Sequence, residues 1–191
     1  MAEQEEEFRL ARTAAPPHVS NDATVYVLTR DGYELAEEGA NSFTCLVFRG
    51  FTGSLANPDF WNPDVRGPVC YNEAAARSAL PADRLRTQLA LAGRTKNELA
   101  AAQAEAFRTG KLLPPGAGAM AFMQSPEQFL GATTGRSRPH LMIYLLYGRY
   151  EEWGASATGA PAIPFDGDGE PLTTLIIPLP AWSDGAAAPT P

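Results

Sequence analysis

Lysine, cysteine and histidine are scarce in this chain, whose 191 residues include two of each. Each scarcity excludes something. Positive charge rests almost wholly on arginine and the net charge is −7, so no broad nucleic-acid surface is expected, because such binding needs clustered Lys and Arg against phosphates. Cys45, Cys70, His18 and His140 lack the close paired spacings of a structural zinc site, and no metal is expected. No apolar run approaches the ~20 residues that cross a bilayer. Glycine-rich phosphate loops of the GxGxxG or GxxxxGK type are missing, which argues against doubly wound nucleotide-binding folds. So is the GxSxG elbow of serine hydrolases. Nothing in the pattern calls for a cofactor.

A secretory leader is not expected either. Glu3, Glu5, Glu6 and Glu7 stand where a leader needs positive charge and then an apolar stretch. The chain reads as cytoplasmic as written, or as the mature part of an exported protein. Two cysteines do not decide between these compartments, since they permit one bridge but are no disulfide framework.

What is present suits a packed globule. Hydrophobic residues make up 45% and charged residues 19%, which fits one domain spanning 1–191. Residues 2–13 read as a helix, with Glu5 and Arg9 able to pair across one turn and Pro16-Pro17 ending it. With a linker it makes an N-terminal segment 1–22. Residues 23–30, 33–38 and 42–49 read as a three-stranded antiparallel meander, with Asp31-Gly32 as a tight hairpin turn and Gly39-Ala40-Asn41 as the second turn. Asn72 caps a helix over 73–79, Pro81 opens another over 81–92, and Thr95-Lys96-Asn97-Glu98 is a capping box for a helix over 96–109. Residues 69–71, 119–123, 140–147 and 173–179 read as strands, 140–147 as a central one. A short helix is expected after Ser125, an irregular excursion over 148–171 and a flexible tail over 183–191. The order argues for α+β: a largely antiparallel sheet, the meander plus the later strands, with a central helical segment packed on one face.

The richest segment is 57–72, which carries Phe60, Trp61 and Tyr71 among prolines and Asx residues. Prolines forbid a regular helix there, so burial of Phe60 and Trp61 must stabilise it. Trp61, Asn62, Asp64, Arg66 and Tyr71 have the makings of a small-ligand site, an aromatic wall with a few placed polar groups. Equally, the loop is self-packed, with Arg66 paired to Asp59 or Asp64 and Asn side chains capping turns. Arg136, Arg138 and His140 form the one local positive cluster, suited to a carboxylate or phosphate, or else simply a solvated turn. A catalytic reading pairs Cys70 or Cys45, as a thiolate nucleophile, with His140 as base. Its alternatives are a Cys45–Cys70 disulfide or two buried small hydrophobes. The acids Asp166, Asp168 and Glu170 fail the EF-hand pattern, since Pro171 stands where glycine is needed, and read as a polar turn.

Residues 23–49, with Asn62-Pro63, Arg66-Gly67-Pro68, Cys70, 74–80, 115–120 and Pro139-His140-Leu141-Met142, resemble an uncharacterised bacterial family whose members often look exported. The resemblance covers much of the chain. It implies work outside the cytoplasm and carries over no chemistry. The expectation is a soluble, acidic, non-catalytic protein that binds a small anionic or polar ligand, or a partner, at the face formed by loop 57–72 and turn 135–140. A Cys/His hydrolase or transferase is the alternative, and a structural or accessory protein with no ligand is the third reading.

Overall fold

The computed structural model describes residues 2–131, 138–155, 162–166 and 170–188. Among them, eight strands form one mixed sheet and four helices flank it. In chain order these are α1 (Ala2–Arg12), α2 (Pro17–Ser20), β1 (Thr24–Thr29), β2 (Gly32–Glu37), β3 (Thr44–Phe48), β4 (Gly67–Tyr71), α3 (Glu73–Leu91), α4 (Lys96–Arg108), β5 (Met120–Met123), β6 (His140–Leu146), β7 (Ile163–Asp166) and β8 (Leu172–Pro178). The spatial order is β2-β1-β3-β4-β5-β6-β8-β7.

The α+β class stands, but the antiparallel meander does not. β1 and β2 form the expected hairpin, closed by Gly32 at φ +119°. β3 then pairs with β1 rather than β2, and in parallel, with Val25 opposite Cys45. The cause lies in the connection. The amides of Ala40 and Asn41 both bond the Asp22 carbonyl (2.8 and 3.0 Å), so the chain runs back to the start of β1 before turning into β3. Gly39 is needed for that approach, because a Cβ there would lie 2.3 Å from the Ala23 carbonyl carbon.

Nor is the helical cover confined to one face. Strand alternation sorts the core into two clusters. On one face Val25, Cys45, Val47 and Cys70 pack under α1, through Leu10 and Ala11. On the other Leu46, Val69, Tyr71, Ala121 and Met123 meet Ala75, Ala79 and Leu80 of α3. The two helices expected over 73–92 are one, with Pro81 inside it. An interior proline costs ~3 kcal/mol, and burial of Ala79, Leu80 and Ala82 on either side of it offsets that cost. The short helix expected after Ser125 is replaced by a turn. Its chain is diverted into a backbone bridge between Phe129 and Arg66, 2.8 Å in each direction. Within the expected excursion, β7 adds an edge strand to β8. Of the expected flexible tail, residues 183–188 are hydrogen-bonded, Ser183 to the Gln124 carbonyl and Ala188 to that of Pro180.

The sheet is wider than α3. Beyond β5, the α3-side face of β6, β8 and β7 presents His140, Met142, Tyr144, Ile176, Thr174 and Phe165, as the cross-strand registers require. Loop 49–66 folds over this step. Buried Phe60 lies beneath the Lys96 ammonium (4.6 Å to the ring centroid), and Lys96 donates to the Leu55 carbonyl (2.6 Å). The helix edge, the bare strands and the loop line a cavity that opens to solvent.

Candidate functional site

The residues expected to form one site lie in separate places. Trp61, Asn62, Asp64 and Arg66 line an open groove against α1, whose floor includes the buried Glu7–Arg49 ion pair. Trp61 was expected to be buried with Phe60; it stands edge-on to Phe60 and remains 51% exposed. Arg66 makes no ion pair among the described residues and donates to the Pro63 carbonyl. Asn57 and Asn62 cap turns, accepting from the amides of Asp59 and Asp64 (2.9 Å each). Tyr71 does not belong to this surface. It closes β4, about 16 Å along an extended strand from Arg66, and is fully buried on the α3 face. Arg136 lies outside the described residues, and Arg138 contributes its backbone carbonyl, not its charge, to His140 (2.7 Å).

The thiol constellation is taken apart by the sheet. Cys45 and Cys70 are directly opposed on β3 and β4, fully buried and joined as a disulfide. In this form neither is a thiolate nucleophile. His140 is also on the wrong side. Cys70 pairs with Phe122 and Phe122 with Leu141, so those three share the α1 face, whereas His140 sits opposite Met123 on the α3 face. Base and sulfur are separated by the sheet itself.

His140 faces the cavity instead. This space, about 510 Å³, is bounded by Ala79, Asp83 and Arg86 of α3, by Met123 and the β6–β8 strands, and by Phe48, Thr52, Asn57 and Pro58 of the covering loop. Most of the wall is apolar. Its polar groups gather at the α3 end, where a network holds the loop to the helix. Arg86, 5% exposed, donates from Nε to Gln103 Oε1 (3.0 Å), from Nη1 to the carbonyls of Thr52 (2.9 Å) and Gly53 (2.5 Å), and from Nη2 to Gln103 Oε1 (2.8 Å) and Glu170. Gln103 Nε2 donates to the same Glu170 oxygen (2.6 Å). All five guanidinium N–H groups are therefore engaged.

Asp83 differs from this closed network. Tyr71 donates its hydroxyl to Asp83 Oδ2 (2.6 Å), and Oδ1 has no hydrogen-bond partner among the described residues. The carboxyl lines the cavity, where burial leaves it poorly solvated. That poor solvation, opposed by the Tyr71 bond and the Arg86 charge, lifts its pKa from 3.8 to about 7. Burial likewise holds His140 below its ordinary value, against the bond to Arg138. Its Nδ1 faces a carbonyl, so Nδ1 carries the proton and Nε2 is an acceptor. Burial above all keeps Tyr71 and Tyr144 protonated.

A testable consequence concerns stability. A carboxyl with a folded pKa above its unfolded one holds its proton more tightly in the folded state. It therefore favours folding at low pH, and that contribution is lost as pH rises from about 4 to about 7. Asp83→Asn is expected to be more stable than wild type near pH 8 by ~1–3 kcal/mol, with the gain gone below pH 4. Urea unfolding at both pH values measures it, and a difference independent of pH would refute it.

Sequence reasoning missed Asp83, Arg86 and Gln103, and read Glu170 only as part of a polar turn. A signal existed: buried positions 75, 79, 82 and 86 follow helical spacing, which places an arginine on the inner stripe of one continuous helix. Dividing the segment at Pro81 hid it. Among the described residues, no group of three or more His, Cys, Asp or Glu is arranged to hold a metal ion. No helix among them is long and apolar enough to cross a membrane. No family model, no curated protein and no solved structure matches the chain.

Proposed function

We propose that this protein binds a small, mostly apolar molecule in the cavity between α3, the bare face of β6–β8 and loop 49–66. The observation that carries this reading is the cavity itself. Its ~510 Å³ lies in the range of small-ligand sites, and its wall is mainly apolar, with large side chains such as Met123, Met142, Phe165 and Ile176, while Asp83 and His140 supply polar groups. Lys96 and Arg86 hold the covering loop by carbonyl bonds on its inner side, so the site is largely pre-formed. The expectation of a binding protein is retained, with its site moved from the outer side of loop 57–72 to the inner side. The disulfide supports an oxidising compartment.

The test uses a neutral solvatochromic naphthalene dye. Saturable binding with a blue-shifted emission is expected. Ile176→Trp, which projects into the cavity from β8, should weaken it about tenfold or more while thermal unfolding stays cooperative. Absence of saturable binding, or equal binding by the filled variant, would remove the proposal.

A further inference from the structure

The cavity holds an unequal set of charges. Among the described residues that line it, the ionisable groups are Asp83, Arg86, Glu170, His140 and Tyr144. Arg86 and Glu170 neutralise each other, and the guanidinium has no donor left for a ligand. His140 spends its N–H on the Arg138 carbonyl and offers only an acceptor. Asp83 makes no ion pair among the described residues, and its Oδ1 is unpartnered. The polar end therefore presents acceptors, one unbalanced negative charge and no free cationic donor.

On the reading just proposed, we infer that the ligand is a primary ammonium on an apolar body, its nitrogen held by Asp83 Oδ1. An ammonium suits the site because it brings both a donor for Oδ1 and the counter-charge that Asp83 lacks. A carboxylate or phosphate head would face Asp83 and Glu170 with nothing to offset the repulsion. A hydroxyl head could make a neutral hydrogen bond but would leave the charge unbalanced. The lifted pKa of Asp83 is consistent with this, since burial raises it and the charge of Arg86 only partly opposes the effect.

Binding is then linked to protons. Below about pH 7 an ammonium must displace the Asp83 proton, so affinity falls with decreasing pH. Of the other ionisable groups around the cavity, the tyrosines stay protonated through that window. Tyr71 on β4, Tyr144 on β6 and Tyr33 on β2 are raised by burial, whereas His140 is lowered by burial and takes up its proton at the acid side of the window, a contribution that Asp83→Asn retains and so separates from that of Asp83. Arg86 on the same helix and Glu170 ahead of β8 are paired with each other.

The test compares 4-phenylbutylamine with 4-phenylbutan-1-ol by calorimetry on the whole chain. The amine is expected to bind about tenfold or more tighter than the alcohol near pH 8, and to lose about tenfold per pH unit below pH 7 while the alcohol does not change. Proton release should accompany amine binding near pH 6.5 and vanish near pH 8.5. Asp83→Asn should abolish the amine preference and the pH slope just below pH 7, leaving the alcohol bound. Tyr71→Phe, which removes the bond to Oδ2 but keeps the carboxylate, should retain the preference. Equal or weaker binding of the amine in wild type would overturn the ammonium assignment and leave the cavity reading intact. Binding of neither compound, together with failure of the neutral dye, would overturn both. The wild-type pH profile decides the matter even if Asp83→Asn fails to fold.

Discussion

Arg86→Met is expected to destabilise the protein by ~3–5 kcal/mol, among the largest effects of any single substitution in the chain. The reason is not the attraction to Glu170 alone. The side chains of Arg86 and Glu170 are 6% and 10% exposed, so solvent screening is weak. Removing the guanidinium leaves the buried Glu170 carboxylate without its counter-charge, with Gln103 Nε2 as its remaining donor, and leaves Gln103 Oε1 and the carbonyls of Thr52 and Gly53 without theirs. Replacing both ends together, as Arg86→Met with Glu170→Leu, removes the stranded charge. That pair should cost well below the sum of the single changes, a coupling readable in a double-mutant cycle. Amide exchange in residues 50–58 should rise in the single variant, because the same arginine ties the covering loop to α3. A loss below about 1 kcal/mol for Arg86→Met would show that the network is solvated and not structural.

The parts of the fold that could be read from the sequence are those specified locally. Asp31-Gly32 closes its hairpin because the turn needs a positive φ. Thr95 and Glu98 form the reciprocal cap of α4, and Asn72 caps α3 by accepting from the Ala75 amide (3.0 Å). The parts that could not be read depend on long-range choices. Nothing within 38–43 states that Asp22 will capture two amides and send β3 to the far side of β1. Nothing within 125–130 states that Phe129 will bridge to Arg66. Pro81 is a strong local stop signal that tertiary burial overrode.

The site shows the same division more sharply. His140 could be singled out because histidine is scarce, but its sheet face depends on register, and register placed it with Met123 and away from Cys70. Loop 57–72 drew interest through its aromatics, yet those aromatics do different work. Phe60 is the loop's anchor, Trp61 is its surface and Tyr71 is a core hydroxyl that orients Asp83. The carboxyl that matters most is an unremarkable aspartate in a helix. Its significance comes from what surrounds it: a tyrosine 12 residues earlier and an arginine already spent on other partners.

Replacing Cys45 and Cys70 together by alanine is expected to cost ~3.5 kcal/mol, the other large effect. The bridge spans 25 residues of sequence, and closing a loop of that length restricts the unfolded chain by about this amount. The intervening segment contains loop 49–66, which has little regular structure of its own and covers the cavity. The disulfide thus clamps β3 to β4 three residue pairs from the ends of that loop, where the strands are already paired in register. Because both sulfurs are fully buried, reductant should act slowly on the folded protein and quickly once it is unfolded. Alkylation followed by mass measurement gives the first check: no label on native, unreduced protein and two labels after unfolding and reduction. Urea unfolding of the double alanine variant gives the second. The folded state should bind the neutral dye as before, since Cys45 and Cys70 face α1 and the cavity lies on the other side of the sheet. A thiol that labels in the native protein would contradict the bridge, and dye binding lost with stability unchanged would contradict the assignment of the two faces to separate roles.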